Sequence, residues 1–279
     1  MSFVDGRDSA ELRNVFRCVG FRILQTLPRS THHPMTTPHI TFYDIASVAP
    51  VRAFAPNPWK TRLALNYKGV DYETVFVPLM DVEKVRRDLD VPPCRLYPDG
   101  SSFYTLPIIR DHHHQIIKGD SFDIALYLDD KYPHLPRLIP PSSISIHAAF
   151  NQFVDTVFTR SGVSHLFKMP LDATTTQIFQ KKMMDKFNIP WGTTIITAEQ
   201  EKKDVEIFKS NLNDLANVFR CRDEGPFLEG ASLSYADLIV GGWLMMMEET
   251  FSKWDEMKGW HGGLWGRLSD ALDQYKEIK

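Results

Sequence analysis

The spacing of apolar and polar positions predicts a strand, a helix and a second strand at the start of the patterned sequence. Residues 39–47 (HITFYDIAS) alternate and are rich in β-branched and aromatic side chains, as are residues 72–77 (YETVFV), so both predict strands. A helix is predicted from Asn57 or Pro58 to Gly69, with proline in its first turn and Asn57 as the cap. A helix between two strands is typical of a βαβ unit, so we expect the strands to be parallel.

The pattern continues with a short helix, two short strands and an amphipathic helix. Their predicted ranges are 81–89, 105–110, 115–118 and 120–132. The last of these helices has one apolar face, made by Phe122, Ile124, Ala125 and Leu128. The predicted order over residues 39–132 is therefore β-α-β-α-β-β-α.

Beyond residue 132 the pattern becomes helical throughout. The proline-rich residues 133–141 (PHLPRLIPP) predict a linker, because prolines interrupt helices and central strands. Helical spacing follows at 142–160, 172–188, 198–219, 234–250 and 263–276. We therefore expect two domains, an α/β domain at 39–132 and an all-helical domain at 142–279.

The first 38 residues lie outside both predicted domains. They carry acids among their arginines and lack the basic end, apolar middle and small-residue cleavage site of a signal peptide. A second methionine, Met35, stands just before the first predicted strand. We expect an extension that is disordered or results from a misassigned start site, with no part in function.

Composition excludes several classes of partner. Apolar residues make up 43% and charged residues 24%, the balance of a globular protein, and a net charge of −3 does not favour nucleic acid or a polybasic membrane contact. The longest apolar stretch, near Asp237 to Met247, is too short and interrupted to span a bilayer. Cys18, Cys94 and Cys221 form neither a disulfide framework nor a zinc set, so we expect a reducing, cytoplasmic location.

A run of three histidines follows Asp111 in the turn between the two short strands. Adjacent residues in a tight hairpin seldom converge on one ion, and no cysteine or acid cluster completes a ligand set beyond Asp111. We therefore expect no metal.

Two short motifs point to local architecture. Leu106 precedes Pro107 at the start of a predicted strand, and such a bond tolerates the cis form; the alternative is an ordinary edge-strand proline. Ser234 and Asp237 have the spacing of a helix capping box, which predicts a structural role.

Asp120 and Ser121 stand at the start of the amphipathic helix. The N–H groups of a helix N-terminus attract a carboxylate, and an adjacent acid can pair with an ammonium group. The pair is thus a candidate ligand site, while the alternative is that Asp120 only caps the helix.

A domain of this β-α-β-α-β-β-α order, followed by a proline-rich linker and five helices, resembles the cytosolic glutathione transferases. Residues 57–77 (NPWKTRLALNYKGVDYETVFV) are similar to the S-P-N-x-W-K-T-R-x-x-L-N-Y-K-G hallmark of fungal etherase-like members. The resemblance covers nearly all of residues 39–279. It implies a thioredoxin-like first domain, glutathione as co-substrate, a hydrophobic electrophile or ligand as second substrate, and a homodimer.

The resemblance also assigns roles to particular residues. It implies that Leu106 and the cis-proline Pro107 expose a strand edge that pairs with the cysteinyl backbone of glutathione. It implies that Asp120 and Ser121 bind the γ-glutamyl end. Lys60, with its neighbour Arg62, is a candidate for the glutathione carboxylates; the alternative is a solvated helix face.

One residue departs from the family pattern. Ala55 stands where the subgroup has the serine whose hydroxyl donates to the glutathione sulfur. Asn57 is our candidate substitute donor, and Ser47 offers a hydroxyl upstream, whereas Pro56 and Pro58 have no N–H to give. No cysteine occupies this turn, which argues against thiol-exchange chemistry.

The second substrate is expected in a pocket between the domains. Apolar candidates for its lining are Phe54, Phe150, Phe153, Phe158 and Trp191. Three functions stay open: an enzyme that uses the glutathione thiol against an electrophile or aryl ether, a binding protein with little catalysis because of Ala55, and a scaffold.

Overall fold

The first half of the protein contains a four-stranded mixed β-sheet. The computed structural model describes residues 39–97, 99–160, 166–187, 197–219 and 223–279. The strands are β1 (Ile40–Ile45), β2 (Tyr72–Val77), β3 (Arg95–Leu96), β4 (Ser102–Phe103), β5 (Ile108–Asp111) and β6 (Ile116–Gly119). The sheet order is β2-β1-β5-β6, with β1 parallel to β2 and the other neighbours antiparallel, which confirms the predicted parallel pair. Strands β3 and β4 form a separate ribbon that the sequence did not predict.

Helices surround this sheet and make up the second half. They are α1 (Pro56–Lys68), α2 (Val82–Asp88), α3 (Ser121–Lys131), α4 (Ile144–Thr159), α5 (Ala173–Phe187), α6 (Ala198–Asn211), α7 (Asn213–Val218), α8 (Tyr235–Thr250), α9 (Trp254–Lys258) and α10 (Trp260–Leu272). The predicted helix 198–219 is divided at Leu212, and α9 was not predicted. The predicted order over residues 39–132, followed by helices, is otherwise confirmed.

Some expectations fall outside what the structure describes. These concern residues 1–38, including Cys18, and Cys221 and Trp191. Residues from 39 onwards belong to one compact unit, and the domain division at 133–141 stays a prediction. Among the described residues, no helix has the length and apolar character needed to cross a membrane.

Helix α1 carries three cations into the core. Each is fully buried and forms an ion pair with a carboxylate on another element: Lys60 with Asp155 at 2.7 Å, Arg62 with Asp44 at 2.7 Å, and Lys68 with Asp129 at 2.9 Å. The expectation that Lys60 and Arg62 face glutathione carboxylates is therefore wrong, and so is the alternative that they lie on a solvated face of the helix. The basic positions of the family hallmark join α1 to α4, β1 and α3.

The proline-rich segment 133–141 is fixed to the core by Asp129. The Asp129 carboxylate accepts hydrogen bonds from the backbone N–H groups of Leu138 and Ile139, at 2.9 Å and 2.8 Å, besides its bond from Lys68. The Leu138 carbonyl in turn accepts from the N–H of Tyr235 at 2.9 Å. One carboxylate thus holds α1, α3 and this segment together.

The histidine-rich turn is organised by Asp111, whose side chain is inaccessible to solvent. The Asp111 carboxylate accepts from the backbone N–H groups of His113 and His114, the His114 ring and the hydroxyls of Tyr127 and Tyr132. These bonds fasten the β5–β6 hairpin to α3. In the described part of the chain, no cluster of His, Cys, Asp and Glu has the make-up of a metal site.

We expect the Asp111 interactions to make stability depend on acidity. Burial opposes ionisation, but the hydrogen bonds from Tyr132, His114 and Tyr127 outweigh it and lower the pKa of Asp111 from 3.8 to about 2. A depressed carboxyl pKa contributes stability above the unfolded value that is lost as the pH falls from about 4 towards 2, here about 2 kcal/mol. Urea unfolding across that range should show this loss, and Asp111→Asn should remove most of the pH dependence. An unchanged dependence in Asp111→Asn would contradict the assignment.

Candidate functional site

The N-terminus of α1 forms one wall of an apolar cavity. Ala55 is the extended residue that precedes the helix, Pro56 is its first residue, and the Trp59 N–H donates to the Ala55 carbonyl at 3.1 Å. Asn57 is therefore the second helical residue and not the cap, which corrects the predicted start. Ala55, Pro56 and Asn57 all line the cavity, and Ala55 is almost fully buried there.

Asn57 has hydrogen-bond donors in this turn that no described residue uses. No hydrogen bond among the described residues uses its backbone N–H or its side-chain amide. Pro56 and Pro58 have no N–H, so Asn57 supplies the positive end of the helix with its free backbone donor. The prediction of Ser47 as an alternative donor to the sulfur is wrong, because its hydroxyl already donates to the Val51 carbonyl at 2.7 Å.

The peptide bond between Leu106 and Pro107 is cis, as the sequence predicted. The Pro107 carbonyl accepts from the Asp120 N–H at 3.3 Å, which brings the proline next to the start of α3. Leu106 lines the same cavity as Ala55, and no described hydrogen bond uses its backbone N–H. A backbone donor next to a cis-proline and the N-terminus of α1 therefore line the same cavity.

Asp120 holds the N-terminus of α3. Its carboxylate accepts from the Phe122 N–H at 2.9 Å, so it caps the helix, and it does so with a positive φ of 76°. Ser121 is buried, and its carbonyl accepts from the Tyr235 hydroxyl at 2.8 Å. The capping alternative therefore holds for Asp120 and leaves its second carboxylate oxygen available for a ligand.

The predicted capping box lies next to the hydrogen bond between Tyr235 and Ser121. The Asp237 carboxylate accepts from the N–H and hydroxyl of Ser234, at 2.8 Å and 3.0 Å, and from the Leu228 N–H at 2.6 Å. The box fixes the start of α8, whose first residue is Tyr235. Ser234 and Asp237 thus support the Ser121 backbone through Tyr235, and neither lines the apolar cavity.

The apolar cavity is lined from both halves of the protein. Residues from the loop before α1, from the 79–83 turn and from 97–106 form one side, and Met169, α5 and Met246 form the other. Of the predicted aromatic candidates, Phe54 lines the cavity. Among the described residues, three other candidates do not: Phe150 and Phe153 pack on each other at 6.3 Å, and Phe158 is buried in a stack on Trp243 at 5.1 Å.

A second and more polar cavity lies next to the start of α3. Asp120 lines it together with Arg86, Cys94, Lys118 and Asp123. Arg86 is buried and donates to the Thr105 carbonyl at 2.6 Å, and Thr105 lines the apolar cavity, so this contact joins the linings of the two cavities. Burial raises the pKa of the Cys94 thiol, which keeps it protonated.

Sequence reasoning missed two groups of lining residues. Arg86 gave no signal, because a buried arginine on a short charged helix has the pattern of an exposed one. Ile178, Phe179 and Lys182 could have been found, since their spacing places them on one face of α5.

Known proteins match this chain over most of its length. Residues 54–131 match the family model of the glutathione S-transferase N-terminal domain, and residues 145–275 match that of the C-terminal domain. A glutathione S-transferase of Ceriporiopsis subvermispora, solved in complex with glutathione, is 28% identical with a TM-score of 0.77, covering 86% of this chain and 98% of that chain.

Two further relatives are similar over comparable spans. Glutathione transferase GSTFuA2 from Phanerochaete chrysosporium is 27% identical with a TM-score of 0.76, covering 88% of this chain and 100% of that chain. The glutathione S-transferase-like protein ustS of Aspergillus flavus is 27% identical over 263 residues, 85% of this chain and 90% of that protein. The two domain models together span more than half of the sequence, and the chain belongs to the cytosolic glutathione transferase superfamily.

Proposed function

We propose that this protein is a glutathione transferase that directs the glutathione thiol at a hydrophobic electrophile or an aryl ether. The γ-glutamyl end would bind at Asp120 and Ser121, and the cysteinyl backbone at Leu106. The sulfur would then lie by Ala55 and Asn57, facing the apolar cavity. Residues 57–77 resemble the hallmark of the etherase-like subgroup, which supports this combination.

One observation carries the proposal. The Asp120 N–H bonds the carbonyl of cis-Pro107, while Leu106 on its other side lines the cavity that the N-terminus of α1 also lines. An acid, an open backbone donor and a helix N-terminus are therefore arranged in sequence, as an extended peptide with an ammonium group and a thiol requires. The apolar walls beyond them suit an uncharged carbon framework.

The chemistry needs little from side chains. Once the tripeptide holds its sulfur next to the acceptor, the thiol proton passes to solvent and the sulfur attacks the electrophilic carbon. A C–S bond forms, and the halide or aryl-oxide departs with the electrons of the broken bond. Asn57 and the positive end of α1 would stabilise the thiolate, the helix end by ~0.3–2 kcal/mol.

Glutathione-dependent turnover of 1-chloro-2,4-dinitrobenzene tests this function and the role of Asn57. We expect measurable turnover in the natural protein and a several-fold lower kcat/KM in Asn57→Ala, because the lost hydrogen bond is worth ~0.5–1.5 kcal/mol, less than that of the family serine. Asn57→Asp, of the same shape, should be slower still, since it places a negative charge beside the thiolate. Equal kcat/KM in all three proteins would show that Asn57 does not act on the sulfur.

A second candidate function follows from Ala55. The side chain at this position lines the cavity but carries no hydroxyl, so the thiol of bound glutathione would lack its usual donor. The protein would then bind glutathione or a hydrophobic ligand with weak or no catalysis. Binding of glutathione without turnover of any aryl halide would favour this function over the first.

Family membership also leads us to propose a homodimer in the cytoplasm. Sedimentation equilibrium of the full chain would give the mass of two chains if the proposal holds, and the mass of one chain if it does not.

A further inference from the structure

Helix α5 forms one wall of the apolar cavity, and this wall carries a lysine at its exposed edge. Ile178, Phe179 and Lys182 all line the cavity, and their spacing of one, three and four residues places them on one helix face. Lys181, the residue directly before Lys182, is exposed but does not line the cavity. Helix α5 therefore presents an apolar surface with a single lysine at its exposed edge to the cavity in which the second substrate is proposed to bind.

Lys182 has no ion-pair partner within the part of the chain that the structure describes. Among the described residues, no acid or hydrogen-bond acceptor engages its ammonium group. The carboxylate on the opposite wall, Glu83, accepts two hydrogen bonds from Arg87, at 3.1 Å and 2.9 Å, and is thereby satisfied. The cavity thus offers an unbalanced positive charge at its mouth, beside apolar walls.

We propose that the second substrate is an apolar, flat molecule that carries an anionic group, and that Lys182 selects it by pairing with that group. This inference rests on the proposed function and names the substrate class of the same site. The aromatic and methionine side chains of the cavity contact the carbon framework, and the carboxylate or sulfonate stays at the exposed edge, within reach of a flexible lysine.

The reaction is the one already described, with one added contact. Sulfur bonds to the ring carbon, chloride leaves with its electron pair, and the acid group of the acceptor keeps its charge throughout. Because this charge does not change during the step, Lys182 acts on substrate affinity and leaves the chemical step alone. Its effect is therefore expected in KM and not in kcat.

Kinetics on a matched pair of acceptors tests the proposal. We would measure 4-chloro-3-nitrobenzoate and 4-chloro-3-nitrobenzamide with the natural protein, Lys182→Ala and Lys182→Glu. Lys182→Ala should raise KM for the benzoate about threefold to tenfold and leave the benzamide within twofold, as expected for a partly exposed ion pair. Lys182→Glu should raise KM for the benzoate further, and added salt should reduce the difference in this KM between the natural protein and the variants. Lys181→Ala, the neighbouring lysine outside the cavity, should change neither substrate.

An equilibrium measurement keeps the test independent of catalysis. Fluorescence titration with anilinonaphthalene sulfonate and its uncharged sulfonamide should show threefold to tenfold weaker binding of the sulfonate alone in Lys182→Ala. Equal losses for both probes, or none, would overturn the proposal. A rise in KM for glutathione instead would assign Lys182 to a tripeptide carboxylate and also overturn it. If no acceptor is turned over but Lys182→Ala still weakens binding of the sulfonate alone, the proposed function fails while the pairing of Lys182 with an anionic group stands.

Discussion

Replacing Ala55 with serine is expected to raise kcat/KM for an aryl halide about tenfold to thirtyfold near neutral pH. A thiol with a pKa of ~8.5 is only a few per cent thiolate at pH 7. Lowering that pKa by about two units requires ~2.7 kcal/mol, and a hydrogen bond to a charged group supplies ~1.5–3 kcal/mol. Because Ala55 lines the cavity beside Asn57, a hydroxyl there has room to face the sulfur.

The measurement is the pH dependence of kcat/KM for both proteins. The serine variant should show its rise in rate at a pH about two units lower than the natural protein. Ala53→Ser is the matched control, because Ala53 is buried in the same loop but does not line the apolar cavity. If Ala55→Ser and Ala53→Ser behave alike, the site lies elsewhere or another donor already activates the thiol.

Replacing Asp129 with alanine is expected to lower the free energy of unfolding by about 3–5 kcal/mol, because removing one partner of a buried pair leaves the other charge uncompensated. Lys68 is almost inaccessible to solvent, and its remaining acceptor would be the Pro136 carbonyl at 2.9 Å. The Leu138 and Ile139 N–H groups would also lose their acceptor. Urea denaturation measures the change.

Asp130→Ala provides the control on the same helix. Asp130 pairs with Lys131 at 2.9 Å, but its side chain is 70% exposed, so its loss should cost less than about 1 kcal/mol. A loss below about 1 kcal/mol in Asp129→Ala as well would show that the buried pair does not hold α1, α3 and the 133–141 segment together.

Local patterns predicted the βαβ unit, and the family resemblance implied the cis-proline. The alternation of β1 and β2 and the proline at the start of α1 are properties of consecutive residues, so they can be found without knowing the fold. The two-residue strands β3 and β4 and the five-residue helix α9 are too short for any periodic signal.

The environment of α1 could not be predicted in the same way. Lys60 looks like a surface residue in the sequence, because its partner Asp155 is 95 positions away and nothing local identifies it. The same holds for the cavity, where Phe158 has the composition of a lining residue but stacks on Trp243 of α8. Which apolar side chain faces a cavity depends on how α4, α5 and α8 pack, and this information is not in the spacing.

The central claim is that a glutathione site runs from Asp120 past Leu106 to the start of α1. Calorimetric titration with glutathione tests it most directly, with the natural protein, Asp120→Asn and the surface control Asp130→Ala. Asparagine keeps the helix cap and tolerates a positive φ, so only the charge for the ammonium group is lost. We predict one glutathione per chain, bound at least tenfold more weakly by Asp120→Asn and equally by Asp130→Ala. The absence of binding in the natural protein, or equal binding by all three, would contradict the account.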